Sequence, residues 1–188
     1  MAAVALTPSR RRGLPPVVAS NARVLILGSL PGRVSLRELQ YYAQPQNAFW
    51  KIMGEFFGAF PALPYEERLR VLTANRVALW DVCALAERPG SLDSSICKAS
   101  VVPNDFPGFL AAHRQIGLIC FNGMKAASLY RQIVLPELPA GMKSIPREIL
   151  PSTSPAHAAM RFEEKRAHWS IVQGAANAAT PLGRSLLS

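Results

Sequence analysis

Four short apolar runs, separated by stretches whose apolar residues recur three and four positions apart, most constrain what this chain can fold into. The runs are 23–27 (RVLIL), 77–82 (VALWDV), 116–121 (IGLICF) and 145–150 (IPREIL, interrupted by Pro146). In the first, apolar residues occupy successive rather than alternate positions, as in a strand buried on both faces of a parallel sheet. Between the runs, Ile52, Met53, Phe56 and Phe57 follow Phe49 at helical spacing as far as Gly58, and a second helix runs from near Pro64 through Leu69 and Leu72. A third helix covers 124–133, and an amphipathic one covers about 158–172. Strands alternating with helices define an α/β fold, a parallel sheet carrying helices on its faces.

A chain of 188 residues suits one domain, expected over 14–175 between a flexible basic segment (1–13) and a flexible tail (176–188). No apolar run approaches the roughly 20 residues that span a bilayer, so a soluble monomer is expected. Lys and Arg number 21 against 12 Asp and Glu, a net +9, and only Arg10, Arg11 and Arg12 of that excess lie in the first dozen residues. The folded part is therefore basic, which favours a polyanionic partner or simply keeps the protein in solution. Cys83, Cys97 and Cys120 are unpaired in spacing and too few for a four-thiolate cluster, and His113, His157 and His168 lack zinc-ligand spacing. A cytoplasmic protein with no metal and no cofactor is expected.

Ligands of open α/β sheets bind beyond the carboxyl ends of the strands. The loops to examine are GSLPG (28–32), the end of ALWDV, FNG (121–123) and LPSTSPA (150–156). The first is neither G-x-G-x-x-G nor a lysine-bearing phosphate loop, and it is not a G-x-S-x-G nucleophile turn, because Ser29 directly follows Gly28 and Leu30 takes the centre.

The run GSLPGRVSLRELQYYAQPQNAFW resembles the first motif of the uracil-DNA glycosylase superfamily, most closely its sixth family, the hypoxanthine-DNA (deoxyinosine) glycosylase branch. LPSTSPA resembles that branch's second motif. Similarity is dense from Gly13 to Trp50, recurs in order at ALWDV, GSLDSSI, CFNG and LPSTSPA, and ends in EEKRAHW. The resemblance implies a three-layer α/β/α sandwich with a central four-stranded parallel sheet, and a pocket that receives a nucleotide flipped from the duplex. It implies hydrolysis of the bond between C1′ and the base without a cofactor, leaving an abasic site. The implied partner is double-stranded DNA carrying a deaminated base, with single-stranded DNA as a second form.

Residue by residue, the resemblance assigns the catalytic role to Asn47, whose carboxamide oxygen can orient water and stabilise a cationic sugar; otherwise Asn47 is a helix N-cap. Gly28, Ser29, Leu30 and Pro31 shape the base pocket. Tyr42 stacks on the extruded base or packs in the core, with Tyr41 and Phe49 as alternatives. Asp81 reads the polar edge of the base, or serves as a cap or ion-pair partner. As a carboxylate it only accepts, which suits the N1–H of hypoxanthine or the N3–H of uracil and repels adenine and cytosine. Asn122 bonds the base or forms a turn with Gly123. Ser152, Thr153, Ser154 and Pro155 meet the DNA backbone, and Arg33, Arg37, Lys125 and Arg161 hold phosphates or form a solvated face.

Three positions depart from related branches: Leu30 replaces a water-positioning Asp or Asn, Leu150 replaces a His or Asn that assists the leaving base, and Ser154 stands where others insert an apolar wedge. A mismatch-type uracil or thymine glycosylase and a non-catalytic lesion-binding protein are the competing readings.

Overall fold

The computed structural model describes residues 10–90 and 92–178. The chain order is β1 (Arg10–Arg12), β2 (Val24–Gly28), α1 (Arg33–Glu38), α2 (Phe49–Phe57), α3 (Tyr65–Ala74), β3 (Val77–Asp81), β4 (Cys83–Glu87), β5 (Val102–Pro103), α4 (Phe106–Ala112), β6 (Leu118–Asn122), α5 (Met124–Leu129), α6 (Ala140–Lys143), β7 (Arg147–Leu150) and α7 (Phe162–Asn177). Among the described residues no helix is long and apolar enough to cross a membrane.

Four strands form the expected parallel sheet in the order β3-β2-β6-β7. β2, β3 and β6 are buried along their whole length, which is why their residues read as continuous apolar runs. Alternate residues feed two cores. Leu25, Leu27, Ala78, Trp80, Ile119 and Phe121 pack with Phe106, Phe109, Leu110 and Tyr130 on one face. Val24, Ile26, Val77, Leu79, Leu118 and Cys120 pack with Phe49, Ile52, Met53, Leu72, Trp169 and Val172 on the other. The result is the three-layer α/β/α sandwich.

Several boundaries differ from the sequence expectation. The basic segment is not irregular through residue 13: Arg10–Arg12 pair antiparallel with β4, in a second, three-stranded sheet β1-β4-β5. Residues 1–9 lie outside the described part. The last helix begins at Phe162 rather than 158, where Glu164 accepts from the Arg161 N–H at 3.0 Å in a capping box, and it runs on to Asn177 because Ala176 is still buried against the core. Of the expected tail, 176–178 is therefore ordered helix end, and 179–188 lie outside the described residues. The fourth sheet strand starts at Arg147, just past Pro146, which lacks the N–H a ladder needs.

The crossover from β2 leads to one neighbour, β3, and the chain later returns on β2's other side as β6. Between β2 and β6 the connections diverge, and this switch point opens a crevice at the strands' carboxyl ends. Register brings the ends level: Gly28 opposes Asp81, Leu27 opposes Phe121, and Asn122 opposes Leu150.

Candidate active site

A cavity of about 540 Å³ opens over these strand ends. Gly28, Ser29, Leu30, Pro31 and Arg33 line it from the first loop, Tyr42 and Asn47 from the segment before α2, and Asp81 from β3. Asn122 and Lys125 line it from β6 and α5, and Ser152, Thr153, Ser154 and Pro155 from the loop after β7. Arg37, Leu150 and Arg161 are not among its lining residues.

The first loop is shaped from two sides. The Gly28 and Ser29 carbonyls accept from Val82 and Cys83 N–H at 2.9 and 3.0 Å. A Cβ at position 28 would collide with Asp81 Oδ1 and sit 3.5 Å from the Tyr42 hydroxyl, so glycine is what lets the carboxyl lie against the backbone. Behind the loop is a residue the sequence did not signal. Arg88 is fully buried, donates from Nη1 to the Leu30 carbonyl at 3.0 Å and from Nη2 to the Pro31 carbonyl, and stands 3.8 Å from Asp93. Arg88 and Asp93 also line the cavity. The partners of Arg88 are main-chain carbonyls 57 and 58 positions away, which leave no side-chain mark to read.

Asn47 Oδ1 accepts from the Phe49 N–H at 2.9 Å, so the same carboxamide that faces the cavity also ties down the start of α2. An sp² oxygen has two lone pairs, and one remains for a water. The Tyr42 ring stacks on Phe49 with centroids 3.9 Å apart and planes at 24°, so Phe49 takes one face and a base can stack only on the other. Phe49 itself is buried, and Tyr41 is buried with its hydroxyl 3.2 and 3.0 Å from the Leu14 and Pro15 carbonyls. Of the three aromatic candidates, only Tyr42 is partly exposed. It is held at φ 55°, a left-handed conformation that costs a bulky side chain roughly 1–3 kcal/mol.

Thr153 does not sit as the phosphate donor expected of it. It is buried, its N–H donates to Asn122 Oδ1 at 2.9 Å, its Oγ1 accepts from Asn122 Nδ2 at 2.8 Å, and its carbonyl accepts from Ala48 N–H at 3.0 Å. Thr153 thus rivets three loops together, and Asn122 gives one donor and one acceptor to that rivet. Gly123 sits at φ 97°, a conformation side-chain-bearing residues rarely adopt, and a Cβ there would come within 3.1 Å of Ser152 Cβ. The same loop is anchored by Trp169 Nε1 donating to the Pro151 carbonyl at 2.9 Å and by Lys165 donating to the His157 carbonyl at 2.7 Å. Ser154 Oγ accepts from the Ala156 N–H at 3.3 Å at the exposed end of the loop. The exposed apolar side chains on the rim are instead Leu92 and Met124.

Asp81 is 3% exposed and its Oδ2 has no hydrogen-bond partner. Burial, reinforced by the charge of Asp93 and only partly offset by Arg88, pushes its pKa up to about 8. At neutral pH the empty site therefore holds mostly the acid form, and the accept-only behaviour expected of a carboxylate applies above that pKa. Burial, with Asp81 nearby, likewise pushes the Tyr42 hydroxyl up, so it stays protonated.

The cavity, at the switch point of a 2-1-3-4 parallel sheet and walled by a main-chain loop, an asparagine and a tyrosine, defines a class. Residues 15–173 match the model of the uracil DNA glycosylase superfamily, and the chain belongs to that family. Within it, the chain is 39% identical over 164 residues to the hypoxanthine DNA glycosylase of Methanosarcina acetivorans, covering 86% of this chain and 97% of that one. It is 38% identical over 118 residues to the hypoxanthine DNA glycosylase of Methanosarcina barkeri, covering 62% and 73%. The solution NMR structure of a candidate uracil DNA glycosylase from M. acetivorans superposes with a TM-score of 0.73 at 35% identity, covering 90% of this chain and 99% of that one.

Proposed function

We propose that this protein is a monofunctional DNA glycosylase that hydrolyses the N-glycosidic bond of deoxyinosine in DNA and leaves an abasic site. The carrying observation is Asn47: its oxygen is oriented by the Phe49 N–H, and it lines the same cavity as Asp81 and the partly exposed Tyr42. The names of the two Methanosarcina relatives favour hypoxanthine over uracil.

In this reading the flipped nucleotide lays its base on the free face of Tyr42 with its polar edge toward Asp81, and its sugar stands beside Asn47. The free lone pair of Asn47 Oδ1 orients water and stabilises the sugar as it turns cationic. Leu30, at the usual water-positioning place, offers no proton acceptor. A dissociative path tolerates this, since positive charge develops before much bonding to water. Arg88 holds Leu30 and Pro31 in the shape the base meets. Lys125 and the hydroxyls of Ser152 and Ser154 face the flanking phosphates in the cytoplasm's double-stranded DNA.

The test is alkali-dependent cleavage of labelled strands, in duplex and single-stranded form, carrying one deoxyinosine, uracil or G:T mismatch. Cleavage that requires alkali and is strongest for inosine is expected. Uracil or thymine dominance would assign a mismatch-type enzyme, and tight binding without any cleavage would leave a lesion-binding protein.

A further inference from the structure

Among the described residues, Asp81 is the one acidic group that is buried at the floor of the cavity with an oxygen left over. Oδ2 has no partner, and Oδ1 lies against the Gly28 backbone. No cation comes within ion-pairing distance of it among the described residues; the nearest in effect, Arg88, is committed to the Leu30 and Pro31 carbonyls and to Asp93. The titratable and charged groups that influence Asp81 are Asp93, which disfavours its ionisation, and Arg88, which favours it. Tyr41, Tyr42 and Cys83, which feel its charge in turn, are themselves held neutral by burial. A carboxylate placed there would be buried with only partial compensation from Arg88.

The reaction needs something at that point. When the C1′–N9 bond of deoxyinosine breaks, its electron pair leaves with the base, and the negative charge spreads through the purine to O6. Water adds to C1′ and loses a proton to solvent, and the base anion takes a proton from solvent. An anion beside O6 would oppose this charge, whereas a hydrogen-bond donor there stabilises it. Leu150, where related branches carry a helper, has no polar atom and does not reach the cavity.

We propose that Asp81 works as a protonated carboxylic acid, donating a hydrogen bond to the carbonyl oxygen of the departing base and keeping its own proton throughout. Its other oxygen accepts from the adjacent ring N–H, so that the acid pairs with the lactam edge of hypoxanthine at two points. The proposal rests on the glycosylase reading of this cavity. It also relocates selectivity. A neutral acid can pair with the edge of adenine as well, so Asp81 by itself does not exclude adenine, and the choice of base falls to the rest of the cavity.

The experiment has two arms on the full chain. The first follows the Asp81 ¹³Cγ resonance, assigned by its loss in Asp81→Asn, as the DNA-free protein is titrated. The second measures single-turnover base release from a deoxyinosine duplex across the same pH range in wild type, Asp81→Asn and Asp81→Ala, each checked for folding by circular dichroism. We expect titration near pH 8, and wild-type release falling above it by about tenfold per pH unit. Asp81→Asn, whose amide donates at every pH, should stay within about tenfold of wild type in acid and lose the alkaline fall, while Asp81→Ala is slower by on the order of 10²–10³ throughout. A resonance that titrates below about pH 5, in the ordinary carboxylate range, in an enzyme that releases hypoxanthine would overturn the proposal and leave the glycosylase reading standing. Titration near 8 with no base released from any duplex would overturn the glycosylase reading, and the role of Asp81 with it.

Discussion

Asn47 does two jobs with one carboxamide, and they separate on mutation. Its Oδ1 closes the start of α2 through Phe49 N–H, a local bond worth about 1 kcal/mol when lost. In the proposed reaction its second lone pair serves the sugar and water. Asn47→Ala is therefore expected to lower base release from deoxyinosine DNA by on the order of 10³-fold while affinity for that duplex holds. Denaturant titration should show only the small capping loss; undiminished release would remove Asn47 from the chemistry. Asp81 carries a stability signature of its own. Its pKa in the folded protein, about 8, lies above the roughly 3.9 of an unfolded chain. Folding therefore takes up a proton between those values. The contribution of Asp81 to stability is largest in acid, declines as pH rises through this window, and levels off above it. Urea unfolding of wild type should lose stability from about pH 4 to 8, and Asp81→Asn should lose less; parallel curves would mean that the carboxyl ionises as readily folded as unfolded. The placement of Asn47 and Asp81 at the cavity was legible because each sits in an ordered motif next to a strand or helix signal. Arg88 was not, because what it grips is main-chain oxygen.

The elements divide along the same line. β2, β3 and β6 announce themselves because burial on both faces leaves no polar position in the strand interior. The small sheet β1-β4-β5 does not: its strands are two to five residues long, half-buried, and one of them is three arginines. α1 and α4 are equally silent at six and seven residues, too short for a clear period. Loop chemistry misleads in a different way. LPSTSPA offers three hydroxyls, and sequence cannot tell which of them faces out. The structure turns Thr153 inward onto Asn122 and Ala48. Thr153→Val keeps its shape and both backbone bonds but leaves Asn122 Nδ2 without an acceptor, a cost of roughly 1–3 kcal/mol. A lower denaturation midpoint and slower base release are expected, with the salt dependence of DNA binding unchanged. A shallower salt dependence instead would return Thr153 to the phosphates.

At the scale of the whole molecule, the net charge of +9 acts where it is gathered. Beside the base cavity lies a second hollow lined by Arg11 of β1 and by Arg33, Val34, Leu36 and Arg37 of α1; Arg33 borders both. The small sheet thus has a consequence for DNA, since pairing with β4 fixes Arg11 next to α1 instead of leaving it on a loose arm. Arg37 is 2.7 Å from Glu38, but both side chains are largely in solvent, and an exposed pair of this kind is worth too little to hold the guanidinium against a phosphate. Under the proposed function, a strand whose flipped nucleotide enters the cavity is expected to continue past Arg33 into this hollow, where each phosphate neutralised releases counterions and steepens log K against log salt by about 0.9. Combining Arg11→Gln with Arg37→Gln should therefore flatten that slope by about one to two and weaken binding equally for damaged and undamaged duplexes. Base release at saturating protein should keep its rate, because neither side chain reaches the reacting bond. A slope that stays as steep as wild type would send the DNA backbone along the other wall, past Lys125 and the Ser152–Ser154 loop.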